Sequence, residues 1–131
     1  MVDPERFRKR IEEIKATAIA ESLETAQISR LLSISGAAIR RRRASRQIYA
    51  FPLNGRWLYP VWQIDGEHLI PNLDDIVPAI PLWVHPAMVR LFMLAPRPLV
   101  DGESKESPRD FLIRGGGPAP VVEMFEAVRD L

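Results

Sequence analysis

The stretch Ile28-Ser29-Arg30-Leu31-Leu32-Ser33-Ile34-Ser35-Gly36-Ala37-Ala38-Ile39-Arg40-Arg41-Arg42-Arg43 decides how this chain reads. Ile28, Leu31 and Leu32 fall on one face of a short helix that begins near Glu24. Ser33-Ile34 breaks it, and Ser35 is a cap for a further helix running to Ala44 or Ser45. Ser29 is small enough for that helix to cross closely. Ile34 supplies an apolar plug for the turn, and Ile39 anchors the second helix to a core. Gly36 and Ala37 leave the outer surface of its first turn nearly bare, and four arginines follow. Two short helices, a tight turn and cations on the second helix predict a helix-turn-helix that enters the major groove of DNA.

Downstream the pattern changes. Ile48-Tyr49-Ala50-Phe51-Pro52-Leu53 and Arg56-Trp57-Leu58-Tyr59 flank Asn54-Gly55, a pair suited to the positive φ angles of a tight hairpin turn. Pro52 and Pro60 cannot donate to a ladder, so the hairpin is expected to be short and edge-like. It would form a wing, packed on the helices through Trp57 and Tyr59. Arg40 and Arg41 stand about 100° apart around their helix and are assigned to base edges. Arg42, Arg43 and Arg46 are assigned to phosphates, and Arg56 to the minor groove or backbone. Ser35, Gly36 and Ala37 complete the expected DNA-binding set.

Upstream, Asp3-Pro4 opens a helix to about Ile19, with Phe7, Ile11, Ile14 and Ala18 as its apolar stripe. Beyond Pro60, frequent prolines permit only short helices. They are expected over Leu73 to Ile80, capped by Asn72 or Asp74, over Pro86 to Leu94, and from Ser107-Pro108 to Ile113. Gly115-Gly116-Gly117 ends the third. A last helix covers Pro118 to Leu131, with Val121, Val122, Phe125 and Val128 inward and Leu131 a further candidate for that face. The expected class is mainly α: a helix-turn-helix with a short β-hairpin wing, then a small all-helical C-terminal domain. The divisions are 1–63 for DNA binding, 64–84 as a connecting segment with a short helix, and 85–131 as the C-terminal domain.

Charge divides the same way. Residues 1–63 hold twelve Lys and Arg against six Asp and Glu, a net of +6; residues 64–131 hold six against eleven, a net of −5. Thr25 to Ile64 contains seven arginines and no acid. Two faces with two different partners follow from such an imbalance. The absence of cysteine excludes disulfides and thiolate metal sites and fits a cytosolic protein. No apolar run approaches a membrane span, and Met1-Val2-Asp3-Pro4-Glu5-Arg6 lacks a signal-peptide core. Gly115-Gly116-Gly117 lacks the Lys-Ser/Thr and the preceding strand of a phosphate cradle. His68, His85 and the pair Asp74-Asp75 form no metal-binding or acid–base constellation in the sequence, so neither cofactor nor enzyme activity is expected. Trp62 and Trp83 read as core.

The residues Ile28 through Arg43, followed by Tyr49-Ala50-Phe51-Pro52 and Leu58-Tyr59-Pro60-Val61-Trp62-Gln63, resemble small bacterial helix-turn-helix proteins. The C-terminal part is similar to the toxin-binding domain of Xre/MbcA/ParS-type antitoxins. Leu91 to Leu99, Ser107-Pro108-Arg109-Asp110-Phe111-Leu112, and Gly115-Gly116-Gly117 with Val121-Val122-Glu123 carry that resemblance. Arg97 stands where the family usually has Asn, and the loop Val100 to Glu106 is longer. The resemblance implies a repressor that neutralises a RES-like, NAD-consuming toxin and assembles as a homodimer. It implies toxin contacts at Gly115, Gly116, Gly117, Val121, Phe125, Arg129 and Leu131. The alternative is a stand-alone bacterial or phage regulator whose C-terminal part dimerises or binds another protein.

Overall fold

The computed structural model describes residues 3–131; Met1 and Val2, part of the segment read as lacking a signal-peptide core, lie outside the described residues. The chain is mainly helical with a small antiparallel sheet. Helix α1 (Pro4–Ala20) is capped by the Asp3 carboxylate, which accepts from Glu5 N at 3.0 Å. Its apolar stripe is only partly used: Ala18 is buried, Ile11 and Ile14 are half-buried, and Phe7 is 60% exposed. The N-terminal turns of α1 therefore stand clear of the core.

Strand β1 (Ser22–Glu24) leads into α2 (Thr25–Leu32), and a short turn leads to α3 (Gly36–Ala44). Strands β2 (Phe51–Leu53) and β3 (Arg56–Pro60) form the hairpin, with Asn54 at φ 50° and Gly55 at φ 78° in its turn. The hairpin is short, as expected, but it is not an isolated edge. β1 pairs antiparallel with β3 (Leu23 opposite Tyr59), so β3 is the middle strand of three. Pro52 sits on the outer strand β2, and Pro60 ends β3, positions where a missing N–H costs little.

A 3-10 turn (Val61–Gln63) and a second small hairpin, β4 (Ile64–Asp65) with β5 (His68–Leu69), follow. Helix α4 (Leu73–Ile76) is shorter than its sequence suggests, because Pro78 diverts the chain into a 3-10 turn over Val77–Ala79. Asn72 holds the cap position at φ 66°, yet its side chain makes no cap hydrogen bond. Helices α5 (Pro86–Leu94), α6 (Pro108–Ile113) and α7 (Ala119–Arg129) complete the chain. Ser107 caps α6 as expected, accepting from Asp110 N at 3.0 Å.

Two apolar clusters hold these elements. The smaller gathers Ile28, Ile39, Ile48, Tyr59 and Ile64 beneath α2 and α3. The larger joins Tyr49, Phe51, Leu58 and Trp62 to Leu73, Val89, Val121 and Phe125, so residues from both charge halves share one core. Gln63, fully buried, reinforces the junction. Its Oε1 accepts from Tyr49 N at 2.8 Å, and its Nε2 donates to Tyr49 O at 2.7 Å and Pro60 O at 3.1 Å. Arg109 of α6 donates to the carbonyls of Trp62 (2.9 Å) and Ile64 (2.6 Å). Trp83 departs from its expected core position: it is 65% exposed in the segment before α5.

Candidate nucleic-acid interface

The turn between α2 and α3 is built locally. Ser33 adopts the left-handed region at φ 56°, a conformation more often filled by glycine. Ser29 Oγ donates to Ile34 O at 2.5 Å, closing the turn across its base, while Ile34 packs against the smaller cluster. Ser35 Oγ accepts from Ala38 N at 3.0 Å and caps α3. Ile39 is fully buried and fixes the rotation of α3. With about 100° per residue, Ala37 and Arg41 then lie about 160° from Ile39 and face directly outward.

The first turns of the two helices meet. A methyl group placed on Gly36 would stand 3.9 Å from Thr25 Cγ2 and 3.4 Å from Arg40 Nη1. The Arg40 side chain thus lies back over the opening turn of α3, where helix N–H groups favour anions.

The arginines separate into two groups. Arg30, Arg40, Arg41 and Arg42 are exposed and make no ion pair with an acid among the described residues. The others are held by neighbours. Arg43 Nη1 donates to Tyr59 Oη at 3.0 Å, and its guanidinium carbon lies 4.2 Å from the Trp57 ring centre. Tyr59 Oη also accepts from Thr25 Oγ1 at 3.2 Å, so α2, α3 and β3 meet at one phenol. Arg46 Nη2 donates to Val77 O and Ile80 O, both at 3.0 Å. Arg56 Nη1 is 2.5 Å from Glu24 Oε1, an acid one residue outside the acid-free window.

These contacts correct the sequence reading. Arg43 and Arg46, assigned to phosphates, are held by internal contacts, and Arg56, assigned to the minor groove or backbone, pairs with Glu24 at the hairpin while its side chain stays 62% exposed. The outward set is Ser35, Gly36, Ala37, Arg40, Arg41 and Arg42. Arg30 joins it, a residue the sequence analysis counted in the basic window but gave no role. Burial pushes the phenol of Tyr49 up to about 12, with the nearby positive charge of Arg46 partly opposing it.

The C-terminal positions also divide. Val121 and Phe125 are fully buried and belong to the core, so they cannot form a contact surface in this fold. Gly116 packs under the Phe111 ring, where any added side-chain carbon would clash. Gly115, Gly117, Arg129 and Leu131 remain exposed, Leu131 almost completely.

No protein-family model and no curated protein sequence matches the chain. Its fold is similar to that in the NMR structure of Rv2175c. The likeness covers 82% of this chain and 80% of that one, with a TM-score of 0.55 and 15% sequence identity. At that identity the likeness concerns the fold alone. No helix among the described residues is long and apolar enough to cross a membrane.

Proposed function

We propose that this protein binds double-stranded DNA as a winged helix-turn-helix repressor, with α3 as the recognition helix and the β2–β3 hairpin as its wing. The single observation that carries the reading is the exposed run Arg40, Arg41 and Arg42, in no ion pair with an acid among the described residues, behind a first turn of glycine and alanine. A bare leading turn lets the helix sink into the major groove. Arg41, directly outward, is the base-reading residue, with Arg40 beside it. Arg42 and Arg30 meet phosphates. A homodimer would present two such helices to paired half-sites. DNase footprinting on the DNA upstream of the protein's own reading frame tests this; a protected, sequence-specific stretch is expected. No shift or protection even at low ionic strength would contradict it.

The fuller reading adds an antitoxin role against a RES-like toxin, supported by the resemblance of residues 85–131 and by exposed Gly115, Gly117, Arg129 and Leu131. The burial of Val121 and Phe125 favours the alternative, a stand-alone bacterial or phage regulator whose C-terminal part dimerises or binds another protein. Co-purification with a RES-domain protein encoded beside it, with loss of toxicity on co-expression, supports the first. An adjacent toxin that this chain neither binds nor neutralises supports the second.

A further inference from the structure

Arg46 follows α3 closely and has a left-handed backbone, φ 57°. Its guanidinium lies apart from the outward arginines, in a groove of about 330 Å³ between the hairpin and the segment 80–86. The groove's apolar surface comes from buried Phe51 and Val84, with Pro52 and Trp57 on the hairpin side. Leu82 lines it from the other side and is 87% exposed, an apolar side chain with little to cover it. No acidic residue lines the groove.

Two polar groups stand in this apolar setting. Arg46 uses only Nη2, on the carbonyls of Val77 and Ile80; its Nε and Nη1 make no hydrogen bond among the described residues. Its charge has no carboxylate partner. The Tyr49 phenol, which also lines the groove, makes no hydrogen bond among the described residues either. Ligand pockets of roughly 300–1,000 Å³ combine apolar walls with a few convergent polar groups, and this groove has that composition. A guanidinium and a hydroxyl donor that line one groove select a carboxylate, and the walls select a hydrocarbon or aromatic body.

We propose that this groove is a binding site for a small apolar carboxylate, its carboxylate held by Arg46 and Tyr49 and its body against Trp57, Phe51 and Val84. The site does not depend on DNA recognition. It does touch the same elements, since Trp57 stacks on Arg43 of α3 and also lines the groove.

The test uses the full chain, labelled with nitrogen-15, titrated with 4-phenylbutyrate and separately with the uncharged 4-phenylbutan-1-ol. Saturable shifts are expected at the Ala50 amide, the Trp57 indole and the Leu82 amide, with the carboxylate bound at least tenfold more tightly. Arg46→Gln is expected to abolish that preference. Because Arg46 also ties Val77 and Ile80, Leu82→Asp supplies a second variant at an exposed position. The added carboxylate is expected to weaken phenylbutyrate severalfold more than it weakens the alcohol, which loses only the apolar contact of Leu82. Equal affinity for the two probes, the absence of saturable shifts at the groove, or an unchanged preference in Leu82→Asp would overturn the proposal.

Discussion

The two ends of the arginine run use the same side chain for opposite purposes. At the front of the run, Arg40, Arg41 and Arg42 project from a helix whose inward position is taken by Ile39, and none makes an ion pair with an acid among the described residues. At the back, Arg43 and Arg46 turn into the protein and tie α3 to the hairpin and to the 77–80 segment. Helix phase accounts for part of this. Arg43 lies only about 40° from Ile39 and so faces inward, whereas Arg41 lies opposite it. A charged run is therefore not a uniform surface: its outer members are available to a polyanion, and its inner members act as mortar.

The comparison breaks most visibly at Arg46. Arg46→Ala leaves the carbonyls of Val77 and Ile80, both nearly fully buried residues, without their donor, and is expected to cost about 3 kcal/mol of stability. Urea unfolding measures that loss, and a variant as stable as the wild type would mean the tie is unimportant. The same region responds to pH. The Tyr49 phenol ionises in the unfolded chain near 10 but in the folded chain near 12, so its contribution is complete below pH 10 and lost as pH rises toward 12. The loss amounts to about 3 kcal/mol. Stability curves of wild type and Tyr49→Phe should converge or cross over that interval; parallel curves would refute the assignment. At the outer end the effect moves from stability to recognition. Arg41→Ala is expected to remove about 1–3 kcal/mol of discrimination between cognate and mismatched sites while leaving the melting temperature unchanged. The smallest effect lies in the turn that aims α3. Ser33→Gly relieves a left-handed serine and is expected to add about 0.5–1 kcal/mol, read by thermal melting.

Much of the outer end was legible from sequence because its signals are local. Ser35 as a cap, Ile39 as an anchor and Asn54-Gly55 as a turn each act over a few residues, and the structure places each as expected. The inner end was not legible. The acceptors of Arg46 lie 31 and 34 residues further along the chain, and the phenol that holds Arg43 lies 16 away. Strand β1 was missed for a similar reason: Ser22-Leu23-Glu24 has no alternation of its own and is a strand only because β3 offers it a partner. Gln63, which knits the base of the hairpin from within, gave no sequence signal beyond being an amide between apolar neighbours. In α7 the sequence supported the inward placement of Val121 and Phe125, and the burial of both agrees with the periodicity against the toxin contacts implied by resemblance.

The most direct measurement of the outer–inner division is the salt dependence of DNA binding by Arg42→Ala and Arg43→Ala. The affinity of each for one DNA duplex is followed over a range of salt concentrations. If Arg42 meets phosphate and Arg43 is an internal tie, Arg42→Ala reduces the slope of log affinity against log salt by about one unit, and Arg43→Ala leaves it at the wild-type value. An equal reduction by both variants, or a reduction by Arg43→Ala alone, would contradict the account.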